Sequence, residues 1–387
     1  MEKVRIGVIG CGVMGRSHLT KLKEVPLAEL TAVADAFPES ARKAGAEFGV
    51  PAYGDYRELI SSGRCDAVLI ATPHYFHPEI GLAAFQAGLH VLCEKPIAVT
   101  VREADALVAA AEKSGRVFAV NFQMRTVPEI RFARRLLAEG RLGEIRRTMV
   151  VENAYRTQAY YDSAGWRGTW IGEGGGVLIN QAPHGIDLFL LLGGLPSRVL
   201  ARTRTSRHDI EVEDEACALL EYPNGAWGYY YASTSELPIG HRIEVVGDRG
   251  RLVYSIRDYQ YRELKFQSFN PPLSKHISQS PEMWTGVELK DEPIELPAVE
   301  TGHGEIIRNF CAAILHGEAL LSPGREGLWS VEFINSLILS GHRGREVSWP
   351  TPRDEYDQLL AELKKNSRLR QVAPKTASKG APGVDRI

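Results

Sequence analysis

The stretch Val4-Arg5-Ile6-Gly7-Val8-Ile9-Gly10-Cys11-Gly12-Val13-Met14-Gly15 decides the fold. Val4 to Ile9 is a short apolar run of strand character, and Arg16 to Glu24 reads as a helix. Between them lies a G-x-G-x-x-G turn. Gly10 permits the tight turn, Gly12 lets the backbone approach a pyrophosphate, and Gly15 lets the helix pack close to the strand. The N–H groups at the helix start and their partial positive charge then face the phosphates, with Val13 and Met14 at that terminus. A second strand, Leu30 to Ala34, ends at Asp35, where an acid accepts hydrogen bonds from a ribose and repels a 2′-phosphate. Ala36 and Phe37 offer no cation to reverse that preference, so NAD is expected over NADP.

Outward from this turn, strand and helix signals alternate. Ala67 to Ala71 is an unbroken apolar strand, and Glu79 to Ala87 a helix stopped by Gly88. His90 to Cys93 is a strand, Val101 to Lys113 a helix and Val117 to Asn121 a further strand. The alternation implies a doubly wound parallel sheet covered on both faces, over residues 1–122. After a helix over Pro128 to Glu139 the rhythm changes to period-two strands at Arg147–Glu152, Ala216–Tyr222, Ala226–Ser233 and Arg242–Val246. Tyr222-Pro223-Asn224-Gly225 is a hairpin turn between two of them. Residues 123–363 therefore read as an α+β domain with a large, mostly antiparallel sheet. Helices at Gly304–Leu315 and Arg325–Leu339 come near its end, and a polar, flexible tail is expected over 364–387.

Composition bounds the function. The chain has 387 residues, a length suited to two cores, and a net charge of −2, which argues against nucleic acid or a membrane surface as partner. Arg131, Arg134, Arg135, Arg141, Arg146 and Arg147 read as a solvated helix face and strand edge. No apolar run approaches a membrane span and no signal-peptide pattern precedes the first strand. The five cysteines are odd in number and scattered, as in a reduced, cytoplasmic enzyme. The histidines show no metal-ligand spacing apart from His74 and His77 in the cofactor loop, so no metal is expected.

Four motifs in order carry a family resemblance: Gly10–Gly15 with His18, Ala71-Thr72-Pro73 with His77, His90-Val91-Leu92-Cys93-Glu94-Lys95-Pro96, and Gly174 to Asp187 (GGGVLINQAPHGID). In these the chain resembles the Gfo/Idh/MocA oxidoreductases over roughly residues 3 to 350. The resemblance implies a Rossmann domain followed by a C-terminal α/β domain. It implies Lys95 of the Glu94-Lys95-Pro96 motif as a catalytic residue and His184 as the proton acceptor. Many relatives carry an aspartate where this chain has Asn180; an amide positions a hydroxyl but takes no proton at neutral pH, so the proton falls to His184 or Lys95. An Asn-Gln pair at this place also occurs in relatives that oxidise sugar rings. Family members commonly pair through the antiparallel sheet, and Tyr229 and Tyr231, alternating with Tyr230, put aromatic area on one face, so a homodimer or homotetramer is expected.

The chemistry needs a hydride acceptor, a group that takes the hydroxyl proton and a positive or hydrogen-donating group at the developing alkoxide. His184 titrates near working pH, and Lys95 at a strand's carboxyl end stabilises the alkoxide or relays the proton. Asp187, three residues beyond His184, either orients it, binds substrate or is a structural acid; Asn180, one turn before, faces the site. Thr72-Pro73 lines the nicotinamide ribose or simply ends its strand; His18 and His77 lie near the cofactor or serve packing. Arg156, Gln158, Tyr160, Tyr161, Asp162, Trp166, Arg167 and Trp170 mix stacking surfaces with hydroxyl partners, a set suited to a six-membered polyhydroxylated ring or, equally, to a packed loop or subunit contact. A small hydroxy acid needs a fixed carboxylate clamp, and no single arginine stands out for it. The expected activity is oxidation of a secondary ring hydroxyl, with the ring 3-position favoured, of a sugar, glycoside or cyclitol. An NAD-retaining glycosidase working by transient oxidation and a non-catalytic sugar or nucleotide sensor are the alternatives.

Overall fold

The computed structural model describes residues 2–258 and 260–371. The apolar runs Val4–Ile9 (β1), Ala28–Ala34 (β2), Ala52–Tyr53 (β3), Ala67–Ile70 (β4), His90–Cys93 (β5) and Phe118–Val120 (β6) form one parallel sheet in the order β3-β2-β1-β4-β5-β6. Strand order reverses between β1 and β4, and a crevice at the carboxyl ends of such strands is where a dinucleotide lies. Glycine is required at two points of the turn after β1. Gly10 has φ +97°, and a Cβ there meets the Ala71 carbonyl oxygen at 2.5 Å; a Cβ on Gly15 meets the Gly10 carbonyl oxygen at 1.8 Å. The helix starts at Val13, three residues earlier than its sequence signal, and runs to Leu22.

The second sheet is made of β7 (Ile145–Asn153), β8 (Arg198–Arg204), β9 (Glu215–Glu221), β10 (Trp227–Ser233), β11 (Gly240–Gly247), β12 (Gly250–Arg257), β13 (Tyr261–Asn270), β14 (Glu288–Asp291) and β15 (Val347–Ser348). Their order is β14-β13-β12-β11-β7-β10-β9-β8-β15, antiparallel throughout except for the parallel pair β7–β10. The turn at Tyr222–Gly225 is present as expected: the Gly225 N–H donates to the Tyr222 carbonyl at 2.9 Å, and Gly225 has φ +79°. One face of the sheet, carrying Val150, Tyr230, Ile243 and Tyr254, is buried; Tyr230 packs on Phe189 of the helix Pro183–Gly193 and on Phe333 of the helix Gly324–Arg343. The other face shows Leu219, Trp227 and Tyr229, of which Trp227 is 62% exposed. Tyr231, on that face, is half-buried and donates to Glu215 and Glu236.

Two boundaries differ from the sequence-based expectation. Residues beyond 303 do not all stay with the second sheet. Ile306, Ile307, Phe310 and Cys311 of the helix His303–His316 share a core with Val4, Ile6 and Leu92, and the Asn335 side chain accepts from the Val101 N–H and donates to the Val99 carbonyl. A break at 122/123 therefore separates the two sheets but not their cores, because amphipathic helices late in the chain return to cover the first sheet. The tail expected to be flexible is also ordered in its first residues. Ser367 donates to Glu211, and Arg370 pairs with Asp162 at 2.6 Å. Residues 372–387 lie outside the described residues. Among the described residues no helix is long and apolar enough to cross a membrane.

Candidate active site

The turn after β1, the loop after β4 and the Glu94-Lys95-Pro96 motif after β5 sit side by side at one edge of the first sheet. A Cβ on Gly12 meets nothing within 4 Å, so the backbone there opens onto free space in front of the helix N-terminus. Asp35 accepts from the Cys11 N–H at 2.7 Å and the Phe37 N–H at 2.8 Å, which fixes its carboxylate at the end of β2. Thr72 places a buried hydroxyl with no protein partner at the end of β4. This open cradle, fixed acid and unpartnered hydroxyl fit a dinucleotide, which Gly10, Gly12, Val13, Met14, Gly15, Thr72 and Pro73 would hold.

His77 does not face that cradle. Its Nδ1 lies 2.7 Å from the Pro96 carbonyl and its Nε2 2.7 Å from the Thr72 carbonyl, so the fully buried ring ties the two cofactor loops together and offers no nitrogen to a ligand. Glu94 likewise acts within the protein. It accepts from Asn121 at 2.7 Å, lies 2.7 Å from His18 Nε2 and is reached by the Lys95 N–H. Burial opposes its charge, but the hydrogen bond and charge of His18 hold the carboxyl well below the usual range. His18, Glu94 and His303 present ligand-type atoms within 4.8 Å of one another, yet they are joined by direct hydrogen bonds through Asn121.

Lys95 reaches from β5 to the second domain. Its Nζ donates to the Asn180 carbonyl at 3.0 Å, and burial, with Arg156 and Arg167 nearby, lowers its pKa against the opposing pull of Glu94 and Glu173. Gly174-Gly175-Gly176 leads into the single turn Val177–Asn180, and Pro183 at its first position starts the helix Pro183–Gly193, which puts His184 in the first turn facing Phe122 and Gln123. Burial first, and then the positive charge of Lys95, pushes His184 well below 6.5, so it is a neutral imidazole able to accept a proton. Its Nδ1 is buried without a partner, as are the side-chain carbonyls of Gln123 and Gln181. Several such unpaired atoms in one place mark where a polar ligand belongs.

Around Lys95 the side chains converge on Tyr160. The Tyr160 hydroxyl accepts from Gln181 Nε2 at 3.0 Å, from Asn180 Nδ2 at 3.2 Å and from Arg167. Asn180 also donates to Glu173, whose pKa burial lifts to about 7. The Arg167 guanidinium lies 4.1 Å from the Tyr160 ring centre and 4.6 Å from that of Trp166; Arg156 covers Tyr160 at 5.1 Å. Asn180, Arg156, Tyr160, Trp166 and Arg167 thus form one cluster beside Lys95.

Four expected site residues are elsewhere engaged. Asp187 neither orients His184 nor faces this cluster: both its oxygens accept from Arg125, at 2.8 and 2.5 Å, in a fully buried ion pair. Its place three residues after His184 puts it on the packed side of a helix that is apolar nearly all round. Gln158 is occupied by the 209 loop, accepting from the Asp209 N–H at 2.9 Å and donating to Asp162. Tyr161 and Trp170 are core residues, their polar tips bonded to Thr234 and to the Glu211 carbonyl.

Residues that the sequence alone did not single out include Glu173, Gln123, Gln181 and Glu152. Glu152 lies on β7 opposite His241 of β11 and against Gly185, where a Cβ meets its Oε2 at 2.0 Å. Burial raises Glu152 to about 8. A carboxylate at the inward end of an otherwise apolar alternation was the available signal.

A dinucleotide cradle facing a buried lysine and a neutral histidine defines a nicotinamide-dependent oxidoreductase. The chain belongs to the Gfo/Idh/MocA oxidoreductases: residues 4–122 match the oxidoreductase family with an NAD-binding Rossmann fold, and residues 130–253 the GFO/IDH/MocA C-terminal domain. It is similar to a D-apiose dehydrogenase of Paraburkholderia graminis, 28% identical over 90% of each chain. It is also similar to the levoglucosan dehydrogenase of Pseudarthrobacter phenanthrenivorans, 28% identical over 90% of this chain and 98% of that one. Among solved structures, the WlbA dehydrogenase of Bordetella pertussis in complex with NADH and UDP-GlcNAcA superposes with a TM-score of 0.76 at 28% identity, over 91% of this chain and all of that one.

Proposed function

We propose that this enzyme oxidises a secondary ring hydroxyl, with the ring 3-position favoured, of a sugar, glycoside or cyclitol, using NAD. The observation that carries the reading is the convergence of Lys95 Nζ, the neutral His184 and the Asn180–Tyr160–Gln181 cluster beside the dinucleotide cradle. Named relatives acting on apiose and levoglucosan support the sugar class. The bound nicotinamide supplies the hydride acceptor. His184, neutral because it is buried beside Lys95, takes the hydroxyl proton, and the Lys95 ammonium stabilises the oxygen as its charge grows. Tyr160 and Trp166 offer ring faces for the apolar C–H side of a sugar, while Asn180 positions a hydroxyl. Fixed by two backbone N–H groups, Asp35 supports NAD over NADP. The exposed Leu219, Trp227 and Tyr229 support pairing of copies through the outer sheet face as a dimer or tetramer. The test is NAD reduction across hexoses, glycosides and inositols, with the new carbonyl located by NMR. Turnover confined to linear hydroxy acids refutes the ring reading, and a ketone at another carbon removes only the position.

A further inference from the structure

Arg156 and Arg167, the cations beside Lys95, lack the acid partners that Arg125, Arg308 and Arg353 have. Arg125 pairs with Asp187 and Glu326, Arg308 with Glu305 and Glu318, and Arg353 with Glu332 and Asp105. Arg156 and Arg167 are half-buried as well, yet among the described residues neither makes an ion pair. Arg156 donates only to the backbone carbonyls of Ala154 and Tyr155. Arg167 donates to the Tyr160 hydroxyl, and its Nε is buried with no partner. The two guanidinium groups flank one tyrosine ring, and both are close enough to Lys95 to disfavour its charge. The acids around them do little to offset this. Glu173 hydrogen-bonds Asn180 and the Gly168 N–H and is attracted by Arg167 without pairing with it, and burial raises Glu173 to about 7 and Glu152 to about 8.

Two guanidinium groups facing one cleft beside Lys95 without ion-pair partners of their own are costly unless a ligand brings the missing charge. A guanidinium offers a planar fork of donors matched to carboxylate or phosphate oxygens. We propose that Arg156 and Arg167 form an anion subsite beside the reacting carbon, and that the preferred ring substrate carries a carboxylate or a phosphate ester. The inference rests on the ring-dehydrogenase reading and narrows it: stacking on Tyr160 and Trp166 holds the ring, and the anionic group reaches the free donors of Arg156 and Arg167. The positive cleft also draws such a substrate in from solution, an attraction that salt weakens.

The experiment measures NAD reduction with glucose, methyl glucoside and myo-inositol beside glucuronate, galacturonate and glucose 6-phosphate. The expected result is a kcat/KM for at least one anionic sugar about tenfold or more above its neutral counterpart, a gap that narrows as salt rises. Arg156→Gln is expected to lower the anionic-to-neutral ratio of kcat/KM about tenfold, whatever it does to turnover of both, and Arg156→Lys to recover part of that ratio, while NADH affinity measured by fluorescence stays at its wild-type value. Because the uronate and phosphate arms are separate, they tell which anion the subsite takes. Neutral sugars used as well as or better than every anionic one overturn the subsite and leave the dehydrogenase reading standing. An Arg156→Gln variant that loses activity equally on both classes overturns the subsite too. No NAD reduction with any ring polyol sinks both.

Discussion

The two sheets bring buried carboxyl groups to the same cleft in opposite states. On the first sheet, Glu94 is surrounded by donors from His18, Asn121 and its own neighbour's N–H, and it stays charged. On the second, Glu152 lies opposite the buried His241 with an unpartnered oxygen, and burial raises its pKa to about 8. The first sheet holds its charge by completed hydrogen bonds, which fixes the loop that presents Lys95. The second leaves polar atoms open, which suits a surface that receives a ligand. The bonds around Glu94 serve rigidity, while open hydrogen-bonding capacity remains at the Thr72 hydroxyl on the cofactor side and at His184, Gln123 and Gln181 on the substrate side.

The largest effect separating the two sides is expected at the chemistry itself. Lys95→Met lowers kcat by about 10²–10⁴-fold while NADH affinity, read by fluorescence titration, stays near wild type. His184→Ala does likewise and removes the ionisation below pH 6.5 from the rate profile, since the histidine must be neutral to accept the proton and its pKa is depressed. Wild-type turnover in either variant removes that residue's role. Breaking the buried pair under the site comes next. Arg125→Met leaves Asp187 without a partner in the core and is expected to cost about 3–5 kcal/mol in urea unfolding, with loss of activity following from loss of fold. A cost below about 1 kcal/mol shows that Asp187 is satisfied in another way.

On the cofactor side, Asp35→Ala is expected to raise the NADP/NAD ratio of kcat/KM about tenfold, the value of one hydrogen bond to a charged group. An unchanged ratio places selectivity elsewhere. The smallest effect sharpens the contrast between the two carboxyls. A group whose pKa is raised on folding contributes stability that is full below its unfolded value near 4.5 and is lost as pH rises through its folded value. For Glu152 that window ends near 8, so Glu152→Gln is expected to flatten the fall in Tm between pH 5 and 8 by a few degrees. A Tm fall of the same slope in the variant shows that Glu152 is not buried as a neutral acid. Glu173 and Glu213, both lifted to about 7, account for the part of the slope that remains.

The strands β1, β2, β4, β5 and β6, the glycine turn and the hairpin at Tyr222–Gly225 were written locally, in apolar runs, glycine spacing and turn residues, and so were readable from the chain alone; the short β3 and the order of the strands were not. Lys95 and His184 were readable as well, because each sits in a short motif. What the chain alone did not show is where side chains forty or more residues apart end up. Asp187 has the right helical spacing for work beside His184, but the approach of Arg125 from another element takes its carboxylate into the core. Gln158, Tyr161 and Trp170 look like binding residues in a polar, aromatic segment, and packing against Asp209, Thr234 and Glu211 makes them structural. Arg156 and Arg167 read in sequence as hydroxyl partners; only the fold reveals that neither makes an ion pair among the described residues. Local periodicity determines elements and motifs through backbone geometry, whereas charge pairing and burial depend on long-range contacts that no local pattern encodes. For this protein the sequence determined the cofactor cradle and the motifs that carry Lys95 and His184, and the tertiary structure decided which of the surrounding polar groups are left free to meet a ligand.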